Sequence, residues 1–95
     1  MKRRNVKKVV MKLNPVIFFI QETKLETYDN RIIRDVGGVF LSKGIGVEAA
    51  GSAEGLLTLW NEDVLTIKDC ISSKWGIILV GMLNNLKKEV VWCNV

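Results

Sequence analysis

Val6, Val9, Val10 and Leu13 recur at i, i+3, i+4 and i+7, with Arg4, Lys8 and Lys12 on the opposite side. That is the spacing of an amphipathic helix. Pro15 biases Asn14 toward an extended backbone, so the helix is expected to stop near Leu13. Five apolar residues, VIFFI at 16–20, then run directly into Gln21, Glu22, Thr23 and Lys24. The run does not alternate, which predicts a strand over 16–21 covered on both faces, as in α/β sheets. ETYDNRIIRD (26–35) reads as a short helix that turns Ile32 and Ile33 inward.

Six glycines between 37 and 55 break the next stretch, predicting turns between short strands at about 38–42 and 46–50. None of them falls in a GxGxxG or P-loop pattern, so no phosphate cradle is expected. From 55 onward the chain reads as a β meander: a strand at 55–61, a turn at 62–64, and strands at 65–72, 75–83 and 89–95 separated by polar turns. The last strand runs to Val95 without a closing turn or polar tail, so the sequence looks cut rather than finished.

At 95 residues the chain suits one small domain or a piece of a larger one. Its 48% hydrophobic content is high for that size, and it suggests apolar surface meant to meet further layers. The net charge of +4 is uneven: Lys2, Arg3, Arg4, Lys7, Lys8 and Lys12 are unopposed in the first twelve residues. Such a patch attracts phosphates, although a solvated helix face is the plainer explanation. The amino terminus lacks a proper apolar core and cleavage site for a signal peptide. The longest apolar run, 75–83, is about half a membrane span. The chain is therefore expected to be soluble and intracellular, without a membrane partner.

Cys70 and Cys93 are 23 positions apart and there is no histidine. Zinc ligation of the usual kinds is thereby disfavoured, and both cysteines read as reduced core residues. The missing histidine also removes the commonest general base and any Ser-His or Cys-His pair.

Taken in order, the basic helix, NPVIFFIQETK, GSAEGLLTLWN and VVWCNV resemble the endonuclease/exonuclease/phosphatase superfamily. The nearer likeness is to the apurinic-endonuclease-like domain of plant LINE-type retrotransposon polyproteins. The resemblance covers nearly the whole chain. It implies an α/β fold, the N-terminal part of a four-layer α/β sandwich with a mixed β-sheet and flanking helices, incomplete in residues 1–95. It also implies that Glu22 is a ligand of a catalytic Mg²⁺ or Mn²⁺, with Gln21 and Lys24 supporting it or contacting phosphate. Mg²⁺ prefers hard oxygen ligands, and open α/β sheets bind ligands outside the carboxyl ends of their strands.

The implied activity is metal-dependent phosphodiester hydrolysis on DNA, in the nucleus or cytoplasm. Yet the family's leading asparagine strand is absent, as are its Tyr-x-Pro, Gly-Asp-x-Asn and Ser-Asp-His segments. Ala53-Glu54-Gly55 also stands where the family has two glycines. The chain alone is therefore expected to be inactive and to self-associate through exposed apolar faces, with 75–83 as an unpaired strand. The alternatives are a small basic nucleic-acid-binding module, using Arg3, Arg4, Lys7 and Lys8 without catalysis, or a non-functional product of a degenerate element.

Overall fold

The computed structural model describes residues 3–13, 15–50 and 53–95, with only the backbone at Arg4. The expectations placed on Lys2, the Arg4 side chain, Asn14 and the Gly51-Ser52 pair lie outside the described residues.

Helix α1 spans Arg3–Leu13 and ends two residues before Pro15, as the spacing predicts. Its apolar stripe is only half used. Val6 and Val10 enter a core with Val36, Leu41, Leu57 and Leu59, whereas Val9 and Leu13 stay exposed. The helix packs mainly against α2, so a narrower strip of it is covered than its pattern allows.

Helix α2 spans Asn30–Gly37. Asp29 sets its start: the carboxylate accepts the Ile32 amide at 2.9 Å, an N-cap that satisfies one of the free amides of the first turn. Gly38 sets its end at φ 67°, donating its amide to the Arg34 carbonyl. Ile32 and Ile33 face the core as expected.

The strand expected at 38–42 is instead a turn. The Leu41 amide donates back to Gly37 at 3.3 Å, Leu41 is buried, and Val39 and Phe40 project into solvent. The glycine-rich stretch yields one strand, β2 (Lys43–Val47).

Two three-stranded sheets follow. In the first, β3 (Leu56–Trp60) lies between β1 (Ile17–Gln21) and β2, antiparallel to both. Leu57 and Leu59 on β3, with Phe18 and Ile20 on β1, meet the helices. Leu56 and Trp60, with Ile17, Ile45 and Val47, turn to the other side. The strand at 16–21 is thus contacted on both faces but only half-buried, with Val16 and Phe19 exposed, so the cover expected on both faces is only partial.

The second sheet is an antiparallel meander of β4 (Leu65–Ser73), β5 (Gly76–Leu83) and β6 (Lys88–Asn94). Ile77 and Leu79 press onto Leu56, forming the core between the sheets. The layers run helices, sheet, sheet, and the protein is mixed α and β with strands predominating.

Three sequence expectations are corrected here. The pairings are antiparallel rather than mixed. The meander begins at β4, because β3 pairs with β1 and β2, and residues 61–64 carry the chain between sheets. Residues 75–83 are no free edge, since β5 is the central strand of its sheet.

Asn94 stitches the two sheets together from a position 1% exposed. Its side-chain amide donates to the Leu57 carbonyl at 3.2 Å and to the Thr58 hydroxyl at 3.1 Å.

A candidate site at the carboxyl end of the first strand

Beyond Gln21 the chain makes a tight, strained passage. Glu22 and Lys24 both take positive φ, 54° and 58°, a left-handed conformation costly for residues with a Cβ. Thr23 between them is buried to 1% exposure. What holds this geometry is the segment before β3. The Thr23 amide donates to Gly55 at 3.2 Å and the Lys24 amide to Glu54 at 2.7 Å.

The Thr23 hydroxyl hydrogen-bonds the Tyr28 hydroxyl and accepts the Leu25 amide. The Tyr28 ring lies flat over Gly46, where no side chain fits. Burial pushes the Tyr28 phenol above its ordinary pKa; the bond to Thr23 opposes this and the negative charge of Glu48 adds to it. Over-determined strain of this kind is typical of functional loops.

Glu22 is thereby turned out to solvent, at the wall of a cleft of about 310 Å³. Gln21, Glu54, Gly55 and Leu56 line the same cleft, and Lys74, Trp75 and Val95 close its far side. The Gln21 side-chain amide donates to the Val95 carbonyl. Three segments distant in sequence, QETK, AEG and the terminal NV, therefore meet in one place.

The remaining candidates lie elsewhere. The Lys24 ammonium is exposed and lines no part of this cleft. Arg3 pairs with Asp35 of α2 at 3.4 Å, with both side chains about half exposed. Lys7 lies along the end of α2, in a groove with Arg34, Val39 and Phe40. Lys8 points into solvent. The basic helix thus contributes nothing to the cleft among the described residues.

Lys74 and Trp75 are site residues that the sequence reading missed. The available signal was their place in SSKWG, a turn between two strands. Cys93 is exposed rather than buried, and Cys70 is partly buried on the inner side, where burial first and Asp69 second raise its pKa. Cys93 alternates to the outer face of β6 because Trp92 and Asn94 turn inward.

Glu22 and Glu54 are the two carboxylates on the cleft wall. No group of three or more His, Cys, Asp or Glu positioned for a metal occurs among the described residues. Glu22 with Gln21 suits a hard cation that keeps most of its water, which is how Mg²⁺ is commonly bound. No helix of the described residues is long and apolar enough to cross a membrane. No family model matches the chain, nor does any curated protein or solved structure.

Proposed function

We propose that the chain carries the metal-binding part of a Mg²⁺- or Mn²⁺-dependent DNA endonuclease domain of the endonuclease/exonuclease/phosphatase kind, as in LINE-type retrotransposon polyproteins. The observation that supports this most is the meeting of Gln21-Glu22, Glu54-Gly55 and Val95 at one cleft beside the end of β1. These are the segments on which the resemblance rests, and a strained backbone presents Glu22 outward among them.

Glu22 supplies a carboxylate to the cation, and the Gln21 amide, already held by Val95, fixes the approach to it. The cation, when bound, stabilises charge on a phosphodiester oxygen. No histidine is present, so the commonest general base is missing, and with the family's Gly-Asp-x-Asn and Ser-Asp-His segments absent from these residues the chain alone is expected to be inactive or nearly so.

In this reading a fourth layer covers Ile71, Ile78 and Val91 on the outer face of the second sheet, which are exposed here. Isolated chains are expected to associate through that face.

An amide ¹H–¹⁵N correlation spectrum titrated with Mg²⁺ tests the proposal. Shifts confined to residues 21–24, 54 and 55, abolished by Glu22→Gln, support it. A spectrum that millimolar Mg²⁺ leaves unchanged overturns it.

A second reading, a basic nucleic-acid-binding module without catalysis, draws on Lys8 and Lys12, which point to solvent. It requires DNA affinity to fall when these two are replaced by alanine, and to ignore Glu22→Gln.

A further inference from the structure

The turn after α2 leaves two large apolar residues in solvent. Val39 is 82% exposed and Phe40 53%, although Leu41 beside them is fully buried. Met11 of α1, also exposed, borders the same depression. That depression, of about 280 Å³, lies between α1 and the end of α2, with the Lys7 stem running beside Gly38. A second, of about 390 Å³, reaches Asn30, Ser42 and Lys43. Arg34, Gly38 and Val39 border both, so the two form one continuous groove.

Three cations line this groove, Lys7, Arg34 and Lys43, and no carboxylate does. Lys43 has one loose ion pair, with Glu62 at 3.8 Å. Lys7 and Arg34 have none among the described residues. Nor are they needed to satisfy the end of α2. The Arg34 carbonyl already accepts the Gly38 amide, and the Gly37 carbonyl accepts the Leu41 amide.

The groove is separate from both surfaces described above. Lys43 stands opposite Trp60 at one end of the first sheet, whereas Glu22 follows Gln21, opposite Leu56, at the other. It belongs to the helix layer, with both sheets between it and Ile71 and Ile78. A further layer over those residues therefore leaves it open.

We propose that this groove docks an acidic, amphipathic segment of a partner protein. Carboxylates of the segment meet Lys7, Arg34 and Lys43, and its apolar side chains cover Met11, Val39 and Phe40. Charge complementarity fixes the sign of the partner, and the apolar share and concave shape fix its class. The phosphate backbone of a nucleic acid answers the cations but covers little of Val39 and Phe40. A lipid surface calls for a flat or convex face, not for two joined hollows. A polypeptide carries both chemistries along one chain. Arg34, where the hollows join, presents a planar fork suited to a bidentate carboxylate. The proposal does not depend on the metal reading of Glu22.

The test is a titration of the full chain with a short peptide alternating glutamate and leucine, followed by amide ¹H–¹⁵N spectra. Shifts are expected at residues 7, 11, 34 and 38–43, and not at 21–24. Arg34→Gln is expected to weaken binding roughly 10-fold, as for a lost hydrogen bond between charged groups. Val39→Ser, at a position too exposed to matter for folding, should weaken it several-fold. Lys88→Gln, an exposed cation on the second sheet, should leave it unchanged. Peptides with glutamine for glutamate, or serine for leucine, should each bind several-fold more weakly.

Absence of peptide binding by the parent chain overturns the proposal. So does unchanged affinity in both Arg34→Gln and Val39→Ser, with dispersed spectra showing the fold intact. Duplex DNA, or vesicles of phosphatidylserine and phosphatidylcholine in equal parts, serve as competitors. If either shifts the same residues while the peptide does not, the groove belongs to that class of partner and the proposal is overturned.

Discussion

The Thr23 hydroxyl occupies the space that a side chain on Gly55 would need. The two residues are also joined by the Thr23 amide, which donates to the Gly55 carbonyl at 3.2 Å. Gly55 itself has φ +90°, where a Cβ is strained whatever the space. Gly55→Ala is therefore expected to cost about 2–4 kcal/mol, from backbone strain and overpacking together. Chemical denaturation should show a lower midpoint with an unchanged slope. Because Gly55 also anchors the loop carrying Glu22, its folded fraction should lose the Mg²⁺ response of residues 21–24.

The two left-handed residues beside Thr23 behave differently. The Lys24 side chain is exposed and only its backbone is engaged. Lys24→Gly removes the αL penalty at the cost of extra chain entropy in the unfolded state. The net expectation is a stabilisation of about 0.3–1 kcal/mol, read as a higher denaturation midpoint. Glu22→Gln keeps the shape and exposure of the side chain, so stability should move by less than about 0.5 kcal/mol. Its effect should be confined to the proposed Mg²⁺ response.

Tyr28 gives a pH signature. Its phenol is held above the ordinary tyrosine value of about 10 because burial disfavours the ionised form. The native state therefore holds the proton more tightly than the unfolded chain. Stability is fully present below pH 10 and is lost as pH rises through the native value. Tyr28→Phe should remove this alkaline slope. At neutral pH it should cost about 1 kcal/mol for the lost bond to Thr23. Denaturant midpoints measured from pH 7 to 11 distinguish the two effects.

Asn94 should be the most sensitive polar position. Its amide satisfies both Leu57 and Thr58 across the sheet interface, and its carbonyl oxygen is buried without a protein partner. Asn94→Ala leaves two buried groups unpaired and opens a gap, an expected cost of about 2–4 kcal/mol. Asn94→Asp, which places a charge at the same buried position, should be worse. Thermal unfolding of both variants checks the order.

Much of the fold follows from local pattern. Pro15 and the 6, 9, 10, 13 stripe mark α1, and strands 56–60, 65–73, 76–83 and 88–94 fall within two residues of their apolar runs. The failures have physical causes. VGGVFLS looks strand-like, yet Val36 and Gly37 close α2, Gly38 takes its C-cap, and of residues 38–42 only Leu41 is buried. The departure of β3 from the meander depends on its pairing with β1 and β2, which alternation along one strand does not encode.

Gln21 and Glu22, singled out in the sequence, both line the cleft; Lys24, singled out with them, does not, and Glu54 stood out only as a departure from the family's two glycines. Lys74 and Trp75 were not legible, because only the folding of one hairpin against another brings them to the cleft. Phe40 and Trp75 carry the same lesson: an aromatic beside an apolar run is not thereby in the core.

Gln21 and Val95, joined by a hydrogen bond, are 74 positions apart. A ribosome must therefore translate through Val95 before the cleft wall can close. β1 and its glutamate are made first and gain their support from β3 and the segment before it, while the far wall waits for residues that come later. Such distant pairing is slow to form. The nascent protein thus passes through a period in which the first sheet can assemble while Glu22 has no finished pocket beside it.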